Sequence, residues 1–131
     1  MTKFPAPALA GLVATAITMT ALDFVWLGFV AREFYADALG PLLRPSPQPV
    51  AAASFYFLYV AAVWLVAVRR KTVGQALLTG AAMGAFGYGV YELTNWAVIV
   101  GWPARLVIVD WLWGTFLTGV CAAVGAAAQR R

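Results

Sequence analysis

Four apolar stretches dominate this chain, and they decide what it can fold into. They run from about Ala8 to Val30, Val50 to Val68, Val73 to Val100 and Ala104 to Ala128. Crossing ~30 Å of hydrocarbon at ~1.5 Å per residue takes about 20 residues in a helix, a length these runs supply. Charged residues make up only 11% of the chain, against about 25% in an ordinary soluble domain. So few charges cannot cover a water-facing surface, so lipid is the expected solvent for most of the outside. The expected fold is all-α, a bundle of four transmembrane helices forming a single domain over residues 1–131.

The breaks between the runs are polar or turn-forming. The first, residues 31–49, holds Arg32, Glu33, Asp37, Arg44 and four prolines. Its Phe34, Tyr35, Ala38, Leu39, Leu42 and Leu43 recur at helical spacing against Arg32, Glu33 and Asp37, so a short helix lying at the outer membrane interface is expected there. Arg69-Arg70-Lys71 and Gly101-Trp102-Pro103 mark tight turns, which make the flanking helices antiparallel neighbours. Lys3 precedes the first run, but 23 apolar residues interrupted by Asp23 are too long for a cleaved leader, so a retained helix is expected.

Basic residues set an expected orientation. Lys3, Arg69, Arg70, Lys71, Arg130 and Arg131 fall on one side, while Arg32, Arg44 and Arg105 share the other with Glu33 and Asp37. The positive-inside rule then puts both termini in the cytoplasm of a bacterial inner membrane. On this reading the basic triplet is a topology anchor, and no nucleic-acid partner is expected.

Composition also excludes chemistry. With no histidine, no imidazole can ligate zinc or haem or act as a general base. The one cysteine, Cys121, lies among Ala and Val and reads as a small packing residue. No cofactor is expected. Small residues recur at helix-contact spacing: Gly80, Gly84 and Gly87 in the third run, Gly114-Thr118-Ala122-Ala126 and Thr115-Gly119-Ala123 in the fourth, Thr15 and Thr18 in the first. Such stripes let membrane helices approach closely.

The most informative residues are three of the five acids, Asp23, Glu92 and Asp110, which lie inside the runs. A carboxylate at bilayer depth costs several kcal/mol unless it is neutralised or faces protein or water. Counted along antiparallel helices, each sits roughly 10 Å inside the outer end of its run. Their same-face neighbours are Trp26, Asn95 and Trp113, with Tyr56 and Tyr59 of the second run at a similar level. The expectation is a pocket of carboxyls, amide, phenols and indoles open to the periplasmic side. No basic residue lies within the spans, so the acids need protons, a bound cation, or Arg32 and Arg105 reaching in from the rim. A purely structural polar network is the other reading of the same residues.

As a set, several short motifs carry a resemblance: Ala21-Leu22-Asp23 with Trp26-Leu27-Gly28, Phe34-Tyr35 before Leu39-Gly40-Pro41-Leu42, Phe55-Tyr56 with Leu58-Tyr59, Leu93-Thr94-Asn95, and Val109-Asp110 with Trp113-Gly114. In these the chain resembles the bacterial membrane family called domain of unknown function 2177. The family has Asp before Leu-Thr-Asn where this chain has Glu92, which keeps the acid and adds one methylene. The resemblance implies the membrane architecture and the choice of polar positions, and no substrate.

Three functions fit these residues. The first is binding or transport of a proton, a cation or a small polar or cationic ligand at Asp23, Glu92, Asp110, Asn95, Trp26, Trp113, Tyr56 and Tyr59, with a homodimer expected because four helices are few for a path. The second is an accessory or scaffold subunit of a larger membrane complex. The third, an enzyme acting on a lipid or isoprenoid, stands last: paired carboxyls can do acid–base chemistry, but there is no nucleophile–base pair and no phosphate-binding loop.

Overall fold

A computed structural model describes residues 4–131, and Lys3, counted above among the basic residues of one side, lies outside them. Among the described residues the chain is all helical. Helix α1 spans Ala6–Val25 and continues through a wider π turn, Trp26–Val30. A short α2 follows at Arg32–Leu39, then a 3-10 turn at Gly40–Leu42. Helix α3 spans Pro49–Val63 and also ends in a π turn, Trp64–Val68. Helices α4, Val73–Val98, and α5, Ala104–Gln129, complete the chain.

Local chemistry sets the boundaries. Pro5 stands at the N-cap of α1, and Pro49 occupies the first turn of α3, where a missing N–H costs nothing. The Gln48 side chain accepts from the Ala51 N–H at 2.6 Å, and Thr72 Oγ1 accepts from the Gln75 N–H at 3.1 Å to cap α4. Gly40 ends α2 at φ 53°, and Gly101 turns α4 into α5 at φ 80°. Both are conformations that a Cβ disfavours.

Among the described residues, three helical segments are long and apolar enough to cross a membrane: Ala6–Val30, Pro49–Val68 and Ala104–Gln129. Four were expected, and the third run is the one not among them. The third run does form a helix, 26 residues long, but it carries five glycines with Gln75, Thr79, Tyr88, Tyr91, Glu92, Thr94 and Asn95. These dilute its apolarity below that of the other three. Within the stretch where an interfacial helix was expected, a short helix, α2, forms; it is shorter than the stripe that suggested it.

Helix α5 is the central element. It buries Leu106, Val107, Gly114, Leu117, Thr118, Gly119, Cys121, Ala122, Gly125 and Ala126, and it packs antiparallel to both α1 and α4. The contacts are backbone-close. A Cβ on Gly80 would meet Ala122 and the Thr118 carbonyl, and one on Gly84 would meet the Gly114 carbonyl. On the other side Gly11 lies against Gly125 and Gln129, and Thr15 against Gly125. Gly87, expected in the same stripe as Gly80 and Gly84, has nothing within 4 Å.

Outside these seams the molecule presents large apolar side chains, Phe29, Phe57, Leu78 and Phe86 among them, each more than 70% exposed. A monomer in water rarely shows so much contiguous apolar surface. Lipid is the solvent this surface suits.

Candidate functional site

Each central helix buries a stripe of four-residue steps that ends in an acid. In α1 the stripe is Gly11, Thr15, Met19, Asp23. In α4 it is Ala76, Gly80, Gly84, then Tyr88 and Glu92, and in α5 Asp110 leads into Gly114, Thr118, Ala122 and Ala126. Antiparallel packing around α5 brings all three acids to the end of the bundle that carries α2. Asp23 is 5% exposed and Glu92 1%, while Asp110 is half-buried.

Their partners are phenols and indoles. The Tyr56 hydroxyl donates to Asp23 Oδ2 at 2.6 Å and the Trp113 indole donates to Asp23 Oδ1 at 3.0 Å. Tyr35, from α2, donates to Asp110 Oδ1 at 2.6 Å and accepts from the Trp26 indole at 3.2 Å. Trp102, from the α4–α5 turn, donates to Glu92 Oε2 at 2.8 Å. The Trp26 and Trp113 rings stack at 4.4 Å with 6° between their planes. The Glu92 and Asp110 carboxyls are neighbours. One unbroken chain of contacts thus joins Tyr56, Asp23, Trp113, Trp26, Tyr35, Asp110, Glu92 and Trp102. No buried side-chain nitrogen or oxygen among the described residues lacks a partner.

A hydrogen bond between two carboxyl groups needs one proton, because a carboxylate only accepts. Burial pushes the Tyr35 hydroxyl above the usual phenol range, and the neighbouring Asp110 carboxyl pushes the same way, so Tyr35 stays a neutral donor. The rim arginines expected as alternative partners do something else: Arg105 stands over the Phe34 ring at 5.9 Å and Arg32 is exposed. Among the described residues no three acids or cysteines converge as a metal site would require.

Of the residues expected at the site, Asp23, Glu92, Asp110, Trp26, Trp113 and Tyr56 join this network. Tyr59 and Asn95 do not bond to a carboxyl. Tyr59 shares a hydrogen bond of 2.6 Å with Thr118, one turn further along the bundle. Asn95 lies by Tyr91. Two members, Tyr35 and Trp102, come from connections rather than spans and were missed as site residues. The signal available was their type, an aromatic donor placed just outside an acid-bearing helix. Tyr35 and Trp102 each donate to one of the carboxyls expected to line an outer pocket. A cavity of about 490 Å³ lies to one side of the network, lined by Phe55, Tyr59, Gly87, Tyr88 and Tyr91.

Comparison with known proteins places the chain in one family and adds no activity. Residues 8–127 match the family described as "Predicted membrane protein (DUF2177)", and the chain belongs to it. No curated protein and no solved structure matches.

Proposed function

We propose that this membrane protein holds one exchangeable positive charge, a proton or a small cation in its place, at the Glu92–Asp110 pair. The observation that carries the reading is that the buried Glu92 carboxyl and the half-buried Asp110 carboxyl are neighbours, with no Lys or Arg among the described residues hydrogen-bonded to either. The aromatic cavity beside Tyr59 and Tyr88 supports it, since π faces attract cations and tolerate an apolar ligand body. Asp23, closed off by its two donors, serves in this reading to hold α1 and α3 on α5.

The proposal includes four crossings of a bacterial inner membrane, with both termini cytoplasmic. Helix α4 lies along α5 for most of its length, and α5 is itself long and apolar enough to span. A helix that buries its polar face on a neighbour has less need of apolar residues.

The test is cation binding to the protein in lipid nanodiscs, followed by calorimetry in two buffers of different ionisation enthalpy. Guanidinium, tetramethylammonium, sodium and potassium are the probes. At least one should bind with release of about one proton, and both Glu92→Gln and Asp110→Asn should abolish the release. Failure of every probe to release a proton would remove the reading. So would equal release by the variants.

A further inference from the structure

The opposite end of the molecule carries a second concave site, built from basic residues. A cavity of about 560 Å³ at the α3–α4 turn is lined by Arg69, Arg70, Lys71, Gln75, Leu78 and Thr79. Three cations, an amide and a hydroxyl surround one space, with no acid among the lining residues. A topology anchor needs only charge; it needs neither a cavity nor neutral hydrogen-bonding groups.

The arginines are held in position. The Arg69 guanidinium stands over the Trp64 ring at 5.4 Å, and the Trp64 indole donates to Gln129 Oε1 on α5 at 3.0 Å. Arg70 spends one guanidinium nitrogen on the Val66 carbonyl at 3.0 Å, and the Arg130 side chain donates to the Arg70 carbonyl. The turn is therefore tied to α5, with Arg130 adding a further cation at its edge. The site follows directly on Pro49–Val68, a segment apolar enough to span, so it lies at a membrane surface. Leu78 and Thr79, between one and two turns into α4, face a ligand that enters the apolar layer.

We propose that this cavity binds the phosphate headgroup of an anionic phospholipid, with Arg69, Arg70 and Lys71 pairing the phosphate and Gln75 and Thr79 hydrogen-bonding its ester or headgroup oxygens. Guanidinium pairs with phosphate oxygens in a two-point fashion, and basic pockets at helix ends on a membrane surface suit such headgroups. The inference is independent of the Glu92–Asp110 reading. It requires only that the α3–α4 turn meet a bilayer surface.

Native mass spectrometry of protein released from nanodiscs of mixed anionic and zwitterionic phospholipid tests it. The native chain should retain anionic lipid selectively. Arg69→Gln with Lys71→Gln should lower the apparent affinity about 30-fold, at about fivefold per cation. The neutral pair Gln75→Leu with Thr79→Val changes no charge and should lower it several-fold, an effect that simple charge attraction does not produce. Arg44→Gln with Arg105→Gln removes two charges elsewhere and should leave retention unchanged. Equal loss in that control, or full retention in the neutral pair, would overturn the proposal. So would protection from unfolding by inorganic phosphate that matches or exceeds that by anionic lipid.

Discussion

The two ends of α5 solve the same problem in opposite ways. Toward its C-terminus, Gly125, Ala122 and Gly119 meet Gly11, Gly80 and Ala81, and closeness comes from missing side chains. Toward its N-terminus, Trp113 and Asp110 meet Asp23, Tyr35 and Glu92, and cohesion comes from large polar groups that satisfy one another. Lipid gives no hydrophobic drive between helices, so dispersion at close range and buried hydrogen bonds are the forces left. One end uses the first, the other adds the second. The polar end also draws in α2, α3 and the α4–α5 turn, which a smooth seam could not specify.

The largest effect should come from the glycine seam between α4 and α5, where backbone meets backbone and nothing can yield. Gly84→Leu would drive a side chain into the Gly114 carbonyl and should cost about 3 kcal/mol or more, read from reversible unfolding in mixed micelles. At the polar end Asp23→Ala leaves the Tyr56 hydroxyl and Trp113 N–H without their acceptor and should cost about 2 kcal/mol or more by the same measurement. A cost for Asp23→Ala above that of Gly84→Leu would reverse the comparison. Tyr35→Phe removes the donor to Asp110 and the acceptor for Trp26, for about 1 kcal/mol, the scale of hydrogen bonds within membranes. Gly87→Ala should change stability least, a fraction of a kcal/mol and in the stabilising direction. The added methyl meets no neighbour, and Ala favours the helix. If Gly87→Ala is as damaging as Gly84→Leu, the seam is wider than described.

A topological measurement sharpens the same picture. Four crossings bring the two termini to one side and three leave them on opposite sides. Reporter fusions or cysteine labelling at each end should therefore place both in the cytoplasm.

How far these features could be read from residues alone follows from where their partners lie along the chain. The four-residue steps that end in Asp23, Glu92 and Asp110 are local, so their shared level could be counted from helix rise. The donors to Glu92 and Asp110 are not local in that sense. Tyr35 is 75 residues from Asp110, and it reaches that carboxyl only because α2 folds back after the π turn of α1. Tyr59 was misplaced because a three-residue step from Tyr56 both rotates and advances the side chain, which is enough to exchange an acid for Thr118. The third run was read as a span by length, yet its Gly80, Gly84 and Gly89 serve contact with α5 rather than with lipid, and Glu92 is buried. Apolarity reports what a helix shows to lipid, and α4 turns a whole face away from it.

The Trp26–Trp113 stack has a practical consequence. Two indoles lying parallel at 4.4 Å couple their electronic transitions, which gives a split near-ultraviolet circular dichroism band and altered fluorescence. Because one ring belongs to α1 and the other to α5, any event that shifts these helices apart at the acid level would rewrite that signal. The protein therefore carries an intrinsic optical gauge beside its carboxyls, readable in a native bilayer without an added dye.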